Sequence, residues 1–232
     1  RRMGGSIRTS CEVSDIKRIS SKVTPSSFFS ITLLENGKKH PVLVKSEKVY
    51  LALPKPALQK LKILNPAKKL INSVGQSSLN RIYAVFPSDK DGKYWFEGMG
   101  KMNTDNALRF IIPIDPKRGS IMISYGDEEY AKYWGKEART KEKSTWVKKI
   151  MKLTRHLFGE NVPEPIWIES YFWENGVSYW KKNADSEAVT RAMAQPLGKE
   201  VKLYTCGENY SMTNAWIEGG LETVHNLLSL KN

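Results

Sequence analysis

Two stretches near the carboxyl end have residue types that suit the close approach of another group. Gly207-Glu208 directly follows the apolar run 201–206, and residues 216–220, WIEGG, open a stretch of helical spacing. Glycine is a poor helix former, so folding stability alone does not favour it at a helix entrance. The pattern predicts a strand, a loop and a helix. The glycines in the first turn of this helix carry no side chain, so a ligand could approach its backbone closely.

Residues 98–103, GMGKMN, are a partial match to the dinucleotide-binding glycine pattern. They supply its first two glycines, but Asn103 stands where the third belongs. That loop requires a helix directly after it, because the helix N-terminus receives the phosphates. The following ALRFIIPI has the character of a strand, so we predict a turn here.

The cysteines and histidines do not form a metal site or a disulfide framework. Cys11 and Cys206 are far apart, and the three histidines (His40, His156 and His225) are scattered. We therefore expect two reduced thiols and no zinc site. No apolar run reaches the roughly 18 residues of a membrane span, and the first residues lack a secretory apolar segment. These features predict an intracellular protein without a membrane partner, in a compartment that the sequence leaves open.

The formal net charge is +13, mostly from dispersed lysines. A positive field attracts nucleic acid, phosphates and acidic protein surfaces alike. No nucleic-acid motif accompanies the lysines, so we interpret most of them as solvated surface residues. Contacts with anions or acidic proteins are expected to be non-specific, and any nucleic-acid binding is expected to be salt-sensitive.

Apolar periodicity outlines the elements that must position these residues. Strands are predicted over residues 6–19 (one or two), 28–34 and 41–45 around an Asn36-Gly37 turn, 49–53, 79–86, 119–126, 164–173 and 201–206. Helices are predicted over residues 57–64, 67–75, 127–136 and 145–159, and from Ala215. Residues 94–114 are interpreted as strand, turn and strand, and residues 185–198 as irregular. The fold class is therefore mixed α/β, of the α+β type.

Five stretches, in this order, resemble the C-terminal half of the flavin-dependent amine oxidases, a family of monoamine and polyamine oxidases. They are GGSIRTSCEVSDI, VKSEKVYLALPKPALQKL, SLNRIYAVF, WENGVSYW and LYTCGENYS followed by AWIEGGLETV. The resemblance covers essentially the whole chain. It implies two FAD-binding segments, residues 1–60 and 171–232, with a mixed-sheet substrate-binding domain, residues 61–170, inserted between them. It also implies that strand 201–206 lies beside strand 49–53.

The resemblance assigns roles to individual residues. The implied cofactor-binding residues are Val13 at the adenine, Ala52 and Pro54 beside the FAD, Trp173 beside its ring, Gly207 and Glu208 along the ribityl and pyrophosphate chain, and Ile217 at the isoalloxazine. The implied catalytic residues are Arg81, which would position a water, and Trp216 with Tyr179 or Trp180, which would form an aromatic cage for the amine. For each aromatic residue, ordinary core packing is the alternative.

Three departures from the family pattern limit these implications. Arg81 stands where the family has a lysine, and arginine does not readily release its proton. Val177 stands where covalent monoamine oxidases carry a flavin-linked cysteine, so any FAD would be non-covalent. The half with the G-x-G-x-x-G loop is absent, and the chain begins at Arg1 within strand-like sequence, as a fragment would.

Two functions remain open on this basis. The first is FAD-dependent oxidation of a C–N bond in an amine, with oxygen reduced to hydrogen peroxide, by this chain together with a missing N-terminal half or a partner chain. The second is a non-catalytic amine-oxidase-like structural or interaction protein.

Overall fold

The computed structural model describes residues 7–20, 27–35 and 42–230. They form two compact units, of which the first contains the described residues up to Gly75 and from Ser178 onward. The second is Gln76–Val177. These boundaries fall at 75/76 and 177/178, whereas the sequence placed them at 60/61 and 170/171. The assignment of the two units to FAD binding and substrate binding stays a prediction.

The elements of the described residues confirm a mixed class of helices and sheets. The strands are β1 (Cys11–Ser20), β2 (Ser27–Glu35), β3 (Val42–Ser46), β4 (Val49–Leu51), β5 (Val74–Val85), β6 (Met102–Asn103), β7 (Phe110–Asp115), β8 (Ser120–Asp127), β9 (Trp167–Trp180) and β10 (Leu203–Thr205). The helices are α1 (Lys55–Lys60), α2 (Lys68–Ile71), α3 (Glu128–Thr140), α4 (Lys143–Phe158), α5 (Ser186–Ala194) and α6 (Ile217–Ser229). Short 3-10 helices cover Lys62–Ala67, Pro116–Arg118 and Glu208–Tyr210.

The first unit contains two small sheets. Strands β1, β2 and β3 form an antiparallel sheet in that order, which confirms the strands predicted on either side of Asn36-Gly37. That turn itself lies outside the described residues. Strands β4 and β10 pair in parallel, with Tyr50 opposite Tyr204 and their rings stacked at 4.9 Å. The predicted neighbourhood of strands 49–53 and 201–206 is thereby confirmed.

Helix α5 corrects the prediction that residues 185–198 are irregular. Asp185 caps its N-terminus by accepting a hydrogen bond from the Ala188 amide at 3.0 Å. Val189 and Met193, spaced by one helical turn, are its buried residues and join the core of this unit. This helix is stabilised by its cap and by two buried side chains. The sequence pattern for such a short helix is weak, and the Gln195-Pro196 that follows it is more typical of a loop.

The second unit is built on a five-stranded sheet in the order β6-β7-β8-β5-β9. Helices α3 and α4 cover a core that includes Ile82, Ile123, Trp134 and Ile150, each fully buried. The indole N–H of Trp134 donates to the Ala107 carbonyl at 2.7 Å, so the largest buried side chain also has its polar atom satisfied.

Residues 94–97 correct a second prediction, because they form turns and not the first strand of the 94–114 segment. Their backbone turns through hydrogen bonds from Glu97 N to Tyr94 O and from Met99 N to Phe96 O. Phe96 is fully buried, and Trp95 meets the Phe86 ring edge-on at 5.3 Å. Core packing of these aromatic residues overrides their intrinsic preference for extended backbone. No helix starts in residues 98–103, as predicted; Gly98 ends the preceding turn, and Met102–Asn103 form β6.

Candidate functional site

The loops that follow β4 and β10 lie at one edge of their two-stranded parallel sheet. Because the strands are parallel, their carboxyl ends meet, which is where open parallel sheets bind ligands. The Cys206 amide donates to the Leu51 carbonyl at 3.1 Å, and the Lys55 amide donates to Asn209 Oδ1 at 3.3 Å. The structure thus brings the predicted residues Ala52 and Pro54 to the same sheet edge as Gly207 and Glu208.

Gly207 has a backbone conformation that suits glycine, with a φ of 125°. Its amide donates to Thr223 Oγ1 at 2.9 Å, which ties the end of β10 to the buried side of α6. A side chain at this position would be strained whatever space surrounded it. The glycine is therefore required by the loop itself, in addition to any ligand.

Glu208 connects three parts of the first unit. Its Oε1 accepts from Ser178 Oγ at 3.0 Å, and its Oε2 accepts from the Ala215 amide at 2.8 Å. The carboxylate thereby holds the residue that leads into α6 in place beside β9. Glu208 acts on this entrance through its hydrogen bonds, so it is a positioning residue in this structure.

The entrance of α6 has one glycine that is closely packed and one that borders free space. Trp216 is the N-cap residue and makes no side-chain capping hydrogen bond, so the first amides of this helix have no side-chain acceptor there. A Cβ atom at Gly220 would meet nothing within 4 Å, whereas one at Gly219 would lie 2.2 Å from Ser211 Oγ and from the Thr213 carbonyl. Gly219 is thus needed for packing, and Gly220 leaves free space beside the positive end of the helix dipole.

The aromatic residues predicted beside this entrance have different surroundings. Trp216 is 67% exposed and Ile217 is 80% exposed, so neither is a core residue. The Trp180 indole donates to the Ser211 carbonyl at 3.2 Å, and its ring packs against the core, which gives it a structural role. Tyr179 is 49% exposed and lies against Gly75. Among the described residues, no ring contact joins Trp216 to Tyr179 or Trp180.

Val13 lies in β1, paired with Leu33 of β2, beside a register shift that follows it. Its side chain is 39% exposed. No hydrogen bond or packing of this strand distinguishes Val13 from its neighbours as a cofactor contact, so its role stays a prediction.

In the second unit, Arg81 stands in a row of side chains that crosses the sheet. Strand register places Arg81 of β5 opposite Tyr125 of β8, and Tyr125 opposite Phe110 of β7. Directly paired residues share a face of the sheet. The Arg81 guanidinium carbon lies 5.4 Å from the centre of the Tyr125 ring, and the Tyr125 and Phe110 rings are 5.9 Å apart. We call Arg81, Tyr125 and Phe110 the arginine–aromatic row.

Further rings belong to the β5–β9 end of this sheet. Tyr83 meets Tyr171 edge-on at 6.0 Å, and Tyr171 stacks with Trp173 at 6.3 Å. Tyr171 and Trp173, which are both 44% exposed, line a surface pocket of about 320 Å³. The predicted residue Trp173 is therefore an accessible aromatic residue of the edge strand and not a core tryptophan.

Sequence reasoning singled out Arg81 and Trp173 but missed Tyr83, Tyr125 and Phe110. Each of these three occupies a strand position that also suits ordinary packing. Only the cross-strand register reveals that Tyr125 and Phe110 stand in one row with Arg81. No signal within a single strand could have identified them.

The remaining polar chemistry of the described chain is limited. Its histidines, cysteines and carboxylates contain no group of three or more that could hold a metal ion. A cavity of about 20 Å³ beside Gly207 and Cys206 has room for about one water molecule, too little for a flavin ring. Burial raises the pKa of the Cys206 thiol, which lowers its reactivity at neutral pH.

Within the described segments, no helix is both long and apolar enough to cross a membrane.

Comparison with known proteins decides the family. The family model described as flavin containing amine oxidoreductase matches residues 1–224 of the 232-residue chain.

This chain belongs to the flavin-containing amine oxidoreductase family.

A similar protein is found in Acanthamoeba polyphaga mimivirus, where it is described only as uncharacterized. It is 22% identical over 232 residues, covering 92% of this chain and 45% of the viral protein. The chain thus spans about half the length of that relative. Membership of the family implies a flavin cofactor and chemistry on an amine at the family level only.

Proposed function

We propose that this chain is part of an FAD-dependent amine oxidase, in which the first unit contributes to cofactor binding and the second unit to substrate binding. The observation that carries the proposal is the entrance of α6. It combines an uncapped helix N-terminus, free space at Gly220 and a carboxylate, Glu208, that fixes its position. Nothing in the described structure of this chain uses that free space.

The residues present fit an electron-rich flavin at this entrance. A reduced flavin gathers negative charge on one edge of its ring, and the free amides of α6 would stabilise such charge. Trp216 and Ile217 expose apolar surface on which a ring can lie. Gly207, Glu208, Ala52 and Pro54 gather at the neighbouring sheet edge, where the extended part of the cofactor would pass. Val13 would meet the adenine.

When bound, the flavin would supply a two-electron acceptor for oxidation of the amine α-carbon, with oxygen as the final electron acceptor and hydrogen peroxide as the product. The oxidised carbon then reacts with water to release ammonia or a smaller amine. Arg81 would hold this water by donating to its oxygen, since a guanidinium stays protonated and cannot act as the base. Trp216 with Tyr179 or Trp180 would offer π-faces to the amine, and Trp173 would lie beside the flavin ring.

The first test is the absorption spectrum of the purified protein, expressed in the longest reading frame that contains this chain. We expect flavin bands that disappear when the protein is denatured and washed free of the cofactor. The Gly220→Leu variant should fold and lose the flavin, because leucine fills the free space yet is a better helix former than glycine.

Gly100→Leu is the matched control, since a Cβ atom there also meets nothing within 4 Å and the residue belongs to the other unit. It should keep the flavin. A folded, colourless wild-type protein that releases no peroxide would contradict the proposal and favour the non-catalytic alternative.

A further inference from the structure

The arginine–aromatic row is surrounded by positive charge that the described part of the chain does not neutralise. The Arg109 guanidinium carbon lies 4.8 Å from the centre of the Phe110 ring, and Lys101 Nζ lies 4.9 Å from the same centre. In the described residues, no carboxylate pairs with Arg81, Arg109 or Lys101, although other basic residues of this unit, such as Lys149 and Arg155, have acidic partners. Three cations therefore lie along one short row of rings, and the described residues supply no counter-ion for them.

Two buried nitrogen atoms in this group also lack an acceptor. Arg81 Nε and Arg109 Nε are both shielded from solvent and form no hydrogen bond within the described structure. Leaving a buried donor unpaired costs about 1–3 kcal/mol, and more for a charged group. Arg109 is otherwise held by Asn103 Oδ1, which accepts from its Nη1 at 3.3 Å. The two arginines thus offer donors for which the described chain supplies no oxygen.

The charge of the row discriminates between classes of amine. Its ring faces already carry the cations of Arg81, Arg109 and Lys101, so a second ammonium ion would meet like charge at close range. A carboxylate would instead be attracted by the positive charge of these groups. Guanidinium groups match the geometry of a carboxylate particularly well, because both are planar and can form paired hydrogen bonds.

We propose that the arginine–aromatic row, with Arg109 and Lys101, binds the carboxylate of an amine that is also an acid, so that the substrate class is amino acids and not simple monoamines or polyamines. This inference rests on the proposed oxidase function. Arg81 and Arg109 bind the carboxylate, Lys101 adds positive charge at the rim, and Phe110 and Tyr125 contact an apolar or aromatic side chain.

The test compares two ligands that differ only in the carboxylate, L-phenylalanine and phenethylamine. Titration calorimetry on the intact protein measures both dissociation constants without any need for turnover. We expect L-phenylalanine to bind more tightly by about tenfold or more, the effect of one or two charge-assisted hydrogen bonds. Arg81→Met and Arg109→Met should each remove most of this preference, and Arg81→Lys should keep part of it, because the charge remains while the planar fork is lost.

Arg118→Met is the matched control, since Arg118 lies in the same unit but is exposed and pairs with Asp115. It loses the same charge and should leave the preference unchanged. Equal affinities for the two ligands, binding of neither, or a preference that survives Arg81→Met and Arg109→Met together would overturn the inference. Tight binding of oligothymidylate that L-phenylalanine does not displace would also overturn it, and would assign the row to single-stranded nucleic acid.

These outcomes are separate from failure of the proposed function. If the protein carries flavin but prefers phenethylamine, the proposed oxidase function stands and the amino-acid substrate class is wrong. If the protein lacks flavin but still prefers L-phenylalanine, the carboxylate site stands and the proposed oxidase function is wrong.

Discussion

Tyr210 shows how one polar side chain supports the loop on which the α6 entrance depends. Its hydroxyl donates to the Ile71 carbonyl at 3.0 Å, and both groups are buried. Burial raises the pKa of Tyr210 far above its usual value, because the phenolate would lose its hydration. The neutral hydroxyl therefore contributes stability that is fully present below the pKa of an unfolded tyrosine, about 10, and is lost as the pH rises toward the folded value.

The variant Tyr210→Phe tests this link between residue and stability. At neutral pH it should lower the free energy of unfolding by about 1–2 kcal/mol, because it leaves the Ile71 carbonyl unpaired. The difference in unfolding free energy should shrink above about pH 10. The unfolded wild type then gains stability by ionising its tyrosine, whereas the variant has no phenol at this position. Urea unfolding at neutral and alkaline pH measures both effects. A deficit of constant size across that range would show that burial of the hydroxyl does not resist ionisation.

Among the elements, α5 is the clearest case of a short helix that depends on its cap. Asp185→Ala removes the acceptor of the Ala188 amide and should cost about 1 kcal/mol. For a chain of this size, that lowers the melting temperature by about 2–4 °C. Asp185→Ser, which can still cap, should restore most of the loss. If alanine and serine melt alike, the cap does not stabilise the helix.

The elements also show what a single sequence can predict. Alternation and helical spacing identified strands such as β8 and the long helix α4, because their patterns are local and repeated. Residues 94–97 were misassigned because tertiary packing decides their backbone. The pairing of β4 with β10 followed from the family resemblance, since no local pattern links strands so distant in the chain.

The candidate site was predictable only in part, for the same reason. Glycines at 207, 219 and 220 are visible in the sequence, and the structure gives each a distinct geometry. The arginine–aromatic row requires the register of three strands, which the residues of each strand alone do not specify.

At the scale of the whole molecule, the net charge of +13 favours an anionic ligand. A positive surface field raises the encounter rate with anions and does so less at high salt. This field agrees with a phosphate-bearing cofactor, which is an anion, and it disfavours a polyamine, which is a polycation. The chain spans 45% of the length of the viral relative.

The most direct measurement of the central claim is anaerobic reduction of the bound flavin by an amine. The flavin-containing protein, in its longest reading frame, is mixed without oxygen with a panel of amino acids, monoamines and polyamines. We predict that at least one of these bleaches the flavin spectrum, and that admitting air restores the colour with one peroxide formed per flavin. Arg81→Met should slow the bleaching, and Arg118→Met should not. A flavin that binds but stays oxidised with every amine would contradict the account.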